Sequence, residues 1–235
     1  MASGDQGAAD AASHWVRWHA PYDDPTSPLS ERLRLVQSMV WAALDEIPPE
    51  RDPADPIRIV SICAGQGRDV IDVLADHPRR GEVSALLVEL DPGLVAFARA
   101  RVAAAGLDDR VRIVEGDASL SHWYAGEVPA DLVLICGVYG NISAEDIAAT
   151  IEAFPGFCRP GANVIWTRHR RPPDLTPSIR TWFEEAGFTE MGFEAPEGFV
   201  LATGRHRFDG ARAGAEPFDA ERRLFDFVGD GSLPA

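Results

Sequence analysis

Lysine is absent. All 22 basic side chains among the 235 residues are arginine. Without lysine there is no Walker A loop, no pyridoxal Schiff base and no tyrosine–lysine dehydrogenase pair. Cysteine is scarce: Cys63, Cys136 and Cys158 stand far apart, and no CxxC or Cys/His ligand spacing occurs. The expectation is buried, reduced thiols and no metal centre. Positive charge is in deficit, with a formal net charge of −15. Such a surface repels phosphate backbones, which argues against a nucleic-acid partner. No apolar run reaches the length of a membrane span, and the stretch "MASGDQGAADAAS" is too small and polar for a signal peptide. We therefore expect a cytoplasmic protein, monomeric or homodimeric, with no membrane partner.

What is present is an ordinary globular composition, 46% hydrophobic and 25% charged, at a length that supports a sizeable core. Residues 1–12 read as a disordered tail. Residues 13–55 read as an N-terminal helical lid or cap. There the aromatic stretch "HWVRWHAPYDD" precedes "LSERLRLVQSMVWAALDEI", which places Leu33, Val36, Val40, Leu44 and Ile47 on one helical face. Ser27 before Pro28 marks the helix start, and "PPERDPADP" breaks the chain. Over residues 56–208 the strand-like runs "IRIVSIC", "VSALLVEL", "VRIVEG", "ADLVLICG" and "ANVIWTRH" alternate with helical stretches. That alternation implies βαβ units and a parallel sheet. "FTEMGFE" and "GFVLATGRHRF" close the series as a hairpin that adds an antiparallel edge. Residues 209–235 form an acidic extension, in which "ERRLFDFV" reads as a terminal helix.

The first strand runs into "AGQG" (Ala64–Gly67), a glycine-rich turn that opens a helix. Such a turn lets backbone approach a ligand and points free N–H groups at it. The dinucleotide fingerprint would need a third glycine at position 70, where valine stands. Two acids sit at later strand ends. Glu89 follows the glycine turn at the spacing that reaches ribose hydroxyls, and Asp117 ends the third strand.

"VSICAGQGRDV", "LLVELDP", "VRIVEGDAS" and "ADLVLICG", in that order, resemble the motifs of class I S-adenosylmethionine-dependent methyltransferases. The resemblance implies a doubly wound α/β fold. Its seven-stranded, mostly parallel sheet has order 3-2-1-4-5-7-6 with strand 7 antiparallel, here preceded by the N-terminal helical extension. It also implies S-adenosylmethionine as cofactor. By this resemblance Ala64, Gly65, Gln66 and Gly67 approach the methionine part, and Glu89, followed by Leu90, takes the ribose hydroxyls. Asp117 and Ala118 bracket the adenine, and Cys136 and Gly137 line the floor under ribose and sulfonium. The family pattern E/D-x-G-x-G-x-G is met by Gly65 and Gly67 but lacks its leading acid, with Ser61 in that place, and one glycine. Asp69 stands ready as a charge partner for the cofactor ammonium, or as an acid favoured by the helix N-terminus.

The reaction implied is in-line displacement at the activated methyl, in which orientation does most of the work. A base is needed only where the nucleophile carries a proton of high pKa. Tyr139, after the fourth strand, and His169, after the fifth, are the candidates at the ligand-binding edge. Asn141 is a candidate to orient a substrate amide or hydroxyl. Trp15, Trp18, His19 and Tyr22 either wall a pocket for a small organic acceptor or dock as plain core. "TRHRR" (Thr167–Arg171) either meets a substrate carboxylate or phosphate or is a solvated loop. Three function classes stay open: a small-molecule methyltransferase, which the residues favour, an NAD(P)-dependent oxidoreductase, and an inactive cofactor-binding scaffold.

Overall fold

The computed structural model describes residues 19–49, 52, 54–210 and 217–228. Seven strands carry the fold: β1 (Ile57–Ile62), β2 (Val83–Glu89), β3 (Val111–Glu115), β4 (Ala130–Ile135), β5 (Cys158–His169), β6 (Phe188–Glu194) and β7 (Leu201–Phe208). They form one sheet in the order β3-β2-β1-β4-β5-β7-β6. The first five are mutually parallel, and β7 runs antiparallel to both β5 and β6. The sheet is the one that the motif resemblance implies.

Both faces of the sheet are buried, so its central strands are mostly apolar on both sides rather than alternating. In β4, Leu132 and Leu134 face one core while Val133 and Ile135 face the other. The first core is closed by α1 (Pro28–Glu46), α2 (Arg68–Asp76) and α3 (Pro92–Ala105), through Val40, Leu44, Val70, Leu74, Ala98 and Val102. The second is closed by α4 (Ala144–Phe157) and α5 (Thr176–Glu185), through Ile147, Ile151, Phe154, Ile179 and Phe183. Helix ends follow local chemistry. The Ser27 hydroxyl accepts from the Ser30 N–H at 3.1 Å before Pro28, Asp91 accepts from Gly93 and Leu94 before Pro92, and Gly106 ends α3 at φ +61°.

Two expectations change. Helix α1, expected within a cap over residues 13–55, is a layer of the sheet's own core, with Val40 and Leu44 fully buried. Its apolar stripe is wide enough to demand a partner, and the sheet is the nearest one. "ERRLFDFV" is not a helix. Residues 217–228 run irregularly across the carboxyl edge, with isolated bridges of Leu120 to Arg223 and Ile142 to Phe227. Leu224 and Phe225 fill a core gap at 2% and 1% exposure, and the Phe218 ring meets Phe157 at 5.1 Å. Burial of these rings overrides helical propensity, which is the weaker force. Among the described residues no helix is long and apolar enough to cross a membrane.

Candidate active site

Parallel strands bring their carboxyl ends to one edge, so the loops after β1, β2, β3, β4 and β5 converge there. The first of these loops, residues 63–67, turns on left-handed backbone. Cys63, Gly65 and Gly67 all take left-handed backbone, at φ +53°, +56° and +65°. Cys63 occupies the place where the family pattern has its missing glycine, and it adopts the glycine-like conformation at a cost. Gly67 is obligatory for packing, since a Cβ there would meet Ile71 at 2.6 Å and Leu87 at 2.9 Å. The turn is held from the next strand. Glu89 accepts the Gly65 N–H on Oε2 and the Asp91 N–H on Oε1, both at 2.8 Å. Burial pushes the Glu89 carboxyl above its ordinary value, and these backbone donors pull the other way. Beside it the Leu90 side chain is 64% exposed, an apolar surface left open at the edge.

One strand further out, Asp117 accepts on Oδ1 from the Ser119 N–H at 3.0 Å and the Ser119 hydroxyl at 2.7 Å. Its Oδ2 accepts from Arg223 of the C-terminal segment at 3.2 Å. Burial opposes ionisation, yet Ser119 and Arg223 hold the Asp117 carboxyl below its ordinary value. Ala118 is buried, and its carbonyl accepts the Tyr124 hydroxyl at 2.6 Å. The Trp123 ring packs against Gly116, where a Cβ would meet it at 2.6 Å. After β4, Gly137 donates to the Thr167 hydroxyl at 2.8 Å and its carbonyl accepts the Asn141 amide at 2.7 Å. Burial raises the Cys136 thiol far above its ordinary range, so it stays protonated.

The N-terminal segment folds over the glycine turn. The His19 ring is seated on Gly65, with Nε2 only 2.5 Å from where a Cβ would stand. Tyr22 bonds Arg32 through its hydroxyl and lies under the Arg32 and Arg68 guanidinium groups at 5.7 and 5.6 Å. Arg68 also holds Asp23 at 2.8 Å and Gln66 at 2.6 Å. Beneath this strap lies Asp69, whose carboxyl burial pushes up to about 6 although Arg32 opposes the shift.

The structure thus brings Ala64–Gly67, Asp69, Glu89, Leu90, Asp117, Ala118, Cys136, Gly137, His19 and Tyr22 to one edge. Trp15 and Trp18 lie outside the described residues. Asn141 reaches the edge, where its side-chain amide donates to the Gly137 carbonyl at 2.7 Å and its backbone carbonyl accepts the Val228 N–H at 2.9 Å. Tyr139 is corrected. It is fully buried, its ring 6.2 Å from Trp166, and its hydroxyl finds no partner. Burial drives that hydroxyl well above its ordinary pKa, so it cannot serve as a base near neutrality. His169 does sit at the edge, its ring against Gly140. Burial first, then Arg168 and Arg171, lower its pKa, which leaves a neutral imidazole at pH 7. Sequence reading missed Arg32, Arg68 and Arg223. Arg32 and Arg223 lie in segments read only for helix pattern, and Arg68 stands beside the glycine turn without being assigned a role.

Residues 29–183 match a family model described as "Putative methyltransferase". The uncharacterized protein YnbC of Escherichia coli (strain K12) is 29% identical over 121 residues, which is 51% of this chain but only 20% of that protein. An O-methyltransferase family protein from Burkholderia thailandensis superposes with a TM-score of 0.56 at 20% identity, over 77% of this chain and 58% of its own. Magnesium protoporphyrin IX methyltransferase from Synechocystis PCC 6803, solved with bound SAH, superposes with a TM-score of 0.61 at 12% identity, over 83% of this chain and 94% of its own. At these identities the two structural likenesses establish a shared fold.

Proposed function

The chain belongs to this methyltransferase family, and on that premise we propose that it transfers the methyl group of S-adenosylmethionine to a small organic acceptor. The observation that carries the reading is the Glu89 carboxylate. It bridges the Gly65 and Asp91 amides at 2.8 Å, buried at the end of β2 beside the exposed Leu90. The Synechocystis relative holds SAH on the same fold, and the donor set here suits that group. Glu89 offers acceptor oxygens for ribose hydroxyls, and Leu90 offers an apolar face for a base. Asp117 keeps acceptor capacity for an adenine amino group. Asp69, beneath the strap, offers a carboxylate to an ammonium.

The cofactor, when bound, supplies a methyl already activated on positively charged sulfur. With a methyl so activated, catalysis would be mostly placement. The chain's own part is to orient and to exclude water. The His19–Asp23 strap covers the glycine turn, and the loops after β4 and β5 form the acceptor side. His169, neutral at pH 7, is the group suited to take a proton from a hydroxyl or amine nucleophile.

The test is titration calorimetry with S-adenosylhomocysteine. The native protein should bind it, and Glu89→Ala should weaken binding by about 1–3 kcal/mol, the scale of hydrogen bonds to a charged group. A folded Glu89→Ala protein with unchanged affinity would remove Glu89 from the site. Binding of NADH in place of S-adenosylhomocysteine would overturn the reading.

A further inference from the structure

Arg168 is a buried cation with no direct carboxylate contact among the described residues. It lies on β5, two residues beyond Trp166, and is 7% exposed. One nitrogen donates to the Tyr139 carbonyl, and Nε has no partner. Among the described residues no carboxylate forms an ion pair with it. The contrast with Arg205 is direct: that side chain is also 7% exposed, and it is paired with Glu46 at 2.8 Å. The acid that Arg168 feels is Asp174. That carboxylate is already committed to the Thr176 N–H at 2.9 Å, the Thr176 hydroxyl at 2.8 Å and Arg170 at 3.4 Å. A buried guanidinium is stable only when paired, because desolvation of an isolated charge is costly. In a chain of net charge −15, a missing counterion is not a shortage of acids.

The position says what could supply the anion. Strand β5 runs parallel to β4 with Ile135 opposite Trp166, so Arg168 stands beyond the end of β4. It is one strand spacing, about 4.8 Å, from the Cys136–Gly137 floor. His169 follows it at the same edge, with its ring on Gly140. We propose that the methyl acceptor carries an anionic oxygen group, a carboxylate or a phosphate, that pairs with Arg168. This rests on the methyl-transfer reading of the site. The acceptor is then a small acid whose anion is anchored beside β5 while its nucleophile faces the methyl donor.

The experiment separates the two claims. S-adenosylhomocysteine is first titrated into the native protein, Arg168→Gln and Arg168→Lys, which tests the cofactor reading alone. Each saturated complex is then titrated with sodium phosphate and with sodium benzoate at fixed ionic strength, and thermal midpoints are recorded without added oxyanion. The expected result is binding of at least one oxyanion by the native protein, weakened roughly tenfold or more in Arg168→Gln, as expected for a lost charge-assisted contact. Arg168→Lys should recover part of it, and the midpoint of Arg168→Gln should be unchanged or higher. Phosphate selectivity indicates a phosphorylated acceptor, and benzoate selectivity a carboxylic acid. Equal binding of both oxyanions by native and Arg168→Gln proteins, or binding of neither by the native protein, overturns the proposal. A lowered Arg168→Gln midpoint with no change in anion affinity would reduce Arg168 to a prop for the Tyr139 carbonyl. Arg168-dependent anion binding without S-adenosylhomocysteine binding would keep the anion site and overturn the cofactor reading.

Discussion

Cofactor binding should release a proton near pH 6, and Asp69 should be its source. In the free protein burial pushes the Asp69 carboxyl from its ordinary 3.8 up to about 6. The charged groups acting on it are Arg32, which opposes the shift, and Asp72, which adds to it. A raised acid is protonated preferentially in the folded chain. Its contribution to stability is therefore fully present below pH 3.8 and is lost as pH rises through 6. The cost at pH 7 reaches about 3 kcal/mol at most. An ammonium seated against Asp69 reverses this by favouring the carboxylate. At pH 6 about half the molecules must lose a proton on binding, and affinity should fall about tenfold from pH 7 to pH 5. The assay is titration calorimetry with S-adenosylhomocysteine at pH 6 in two buffers of different ionisation enthalpy. 5′-Methylthioadenosine, which has the ribose but no ammonium, controls for Glu89. Asp69→Asn should abolish the proton release and raise the stability of the free protein at pH 7. Equal proton release with the two ligands, or undiminished release in Asp69→Asn, would refute the assignment.

Cys63 takes left-handed backbone at φ +53°, which costs a non-glycine residue about 1–2 kcal/mol. Cys63→Gly should leave the thermal midpoint nearly unchanged, since relief of strain offsets lost packing. Cys63→Val should be worse than Cys63→Ala, because a β-branched residue resists positive φ; equal midpoints for Val and Gly would contradict the strain. Phe225, 1% exposed in the core beside Phe227 at 5.5 Å, should cost about 3–5 kcal/mol when replaced by alanine, read by denaturant unfolding. A loss under 1 kcal/mol would mean that the C-terminal segment is not part of the core.

Most of the sheet was legible because its signal is redundant. The central strands are short, mainly apolar runs bounded by turn residues, and several helix starts carry a chemical mark such as Ser27-Pro28 or Asp91-Pro92. The glycine turn was legible because only close approach or positive φ requires Gly65 and Gly67. Tyr139 was not. A tyrosine just past a strand can face the open edge or the core, and here the gain from packing its ring near Trp166 outweighs an unpartnered hydroxyl. The C-terminal segment failed for a similar reason. "ERRLFDFV" has the residues of a helix, but Leu224 and Phe225 fit a gap that only the assembled core presents. No local pattern encodes that gap.

The hidden residues share a place. The matched family region runs from residue 29 to 183, and both segments that flank it return to the carboxyl edge. From one side His19 sits on Gly65 and Asp23 binds Arg68 at 2.8 Å. From the other, Arg223 binds Asp117 at 3.2 Å and Ser119 at 2.7 Å. The two ends of the site are thus held by different arms, the glycine turn by the N-terminal strap and the third-strand acid by the C-terminal segment. The strap is held by His19 packing, the Tyr22–Arg32 hydrogen bond, the Arg68 contacts and an exposed ion pair, but none of Ala20–Asp23 is buried, and such surface contacts are cheap to displace. A segment anchored by buried Leu224 and Phe225 is not. Ligand entry and exit should therefore occur on the His19 side, while the Arg223 side stays fixed as the wall against which the bound ligand is oriented.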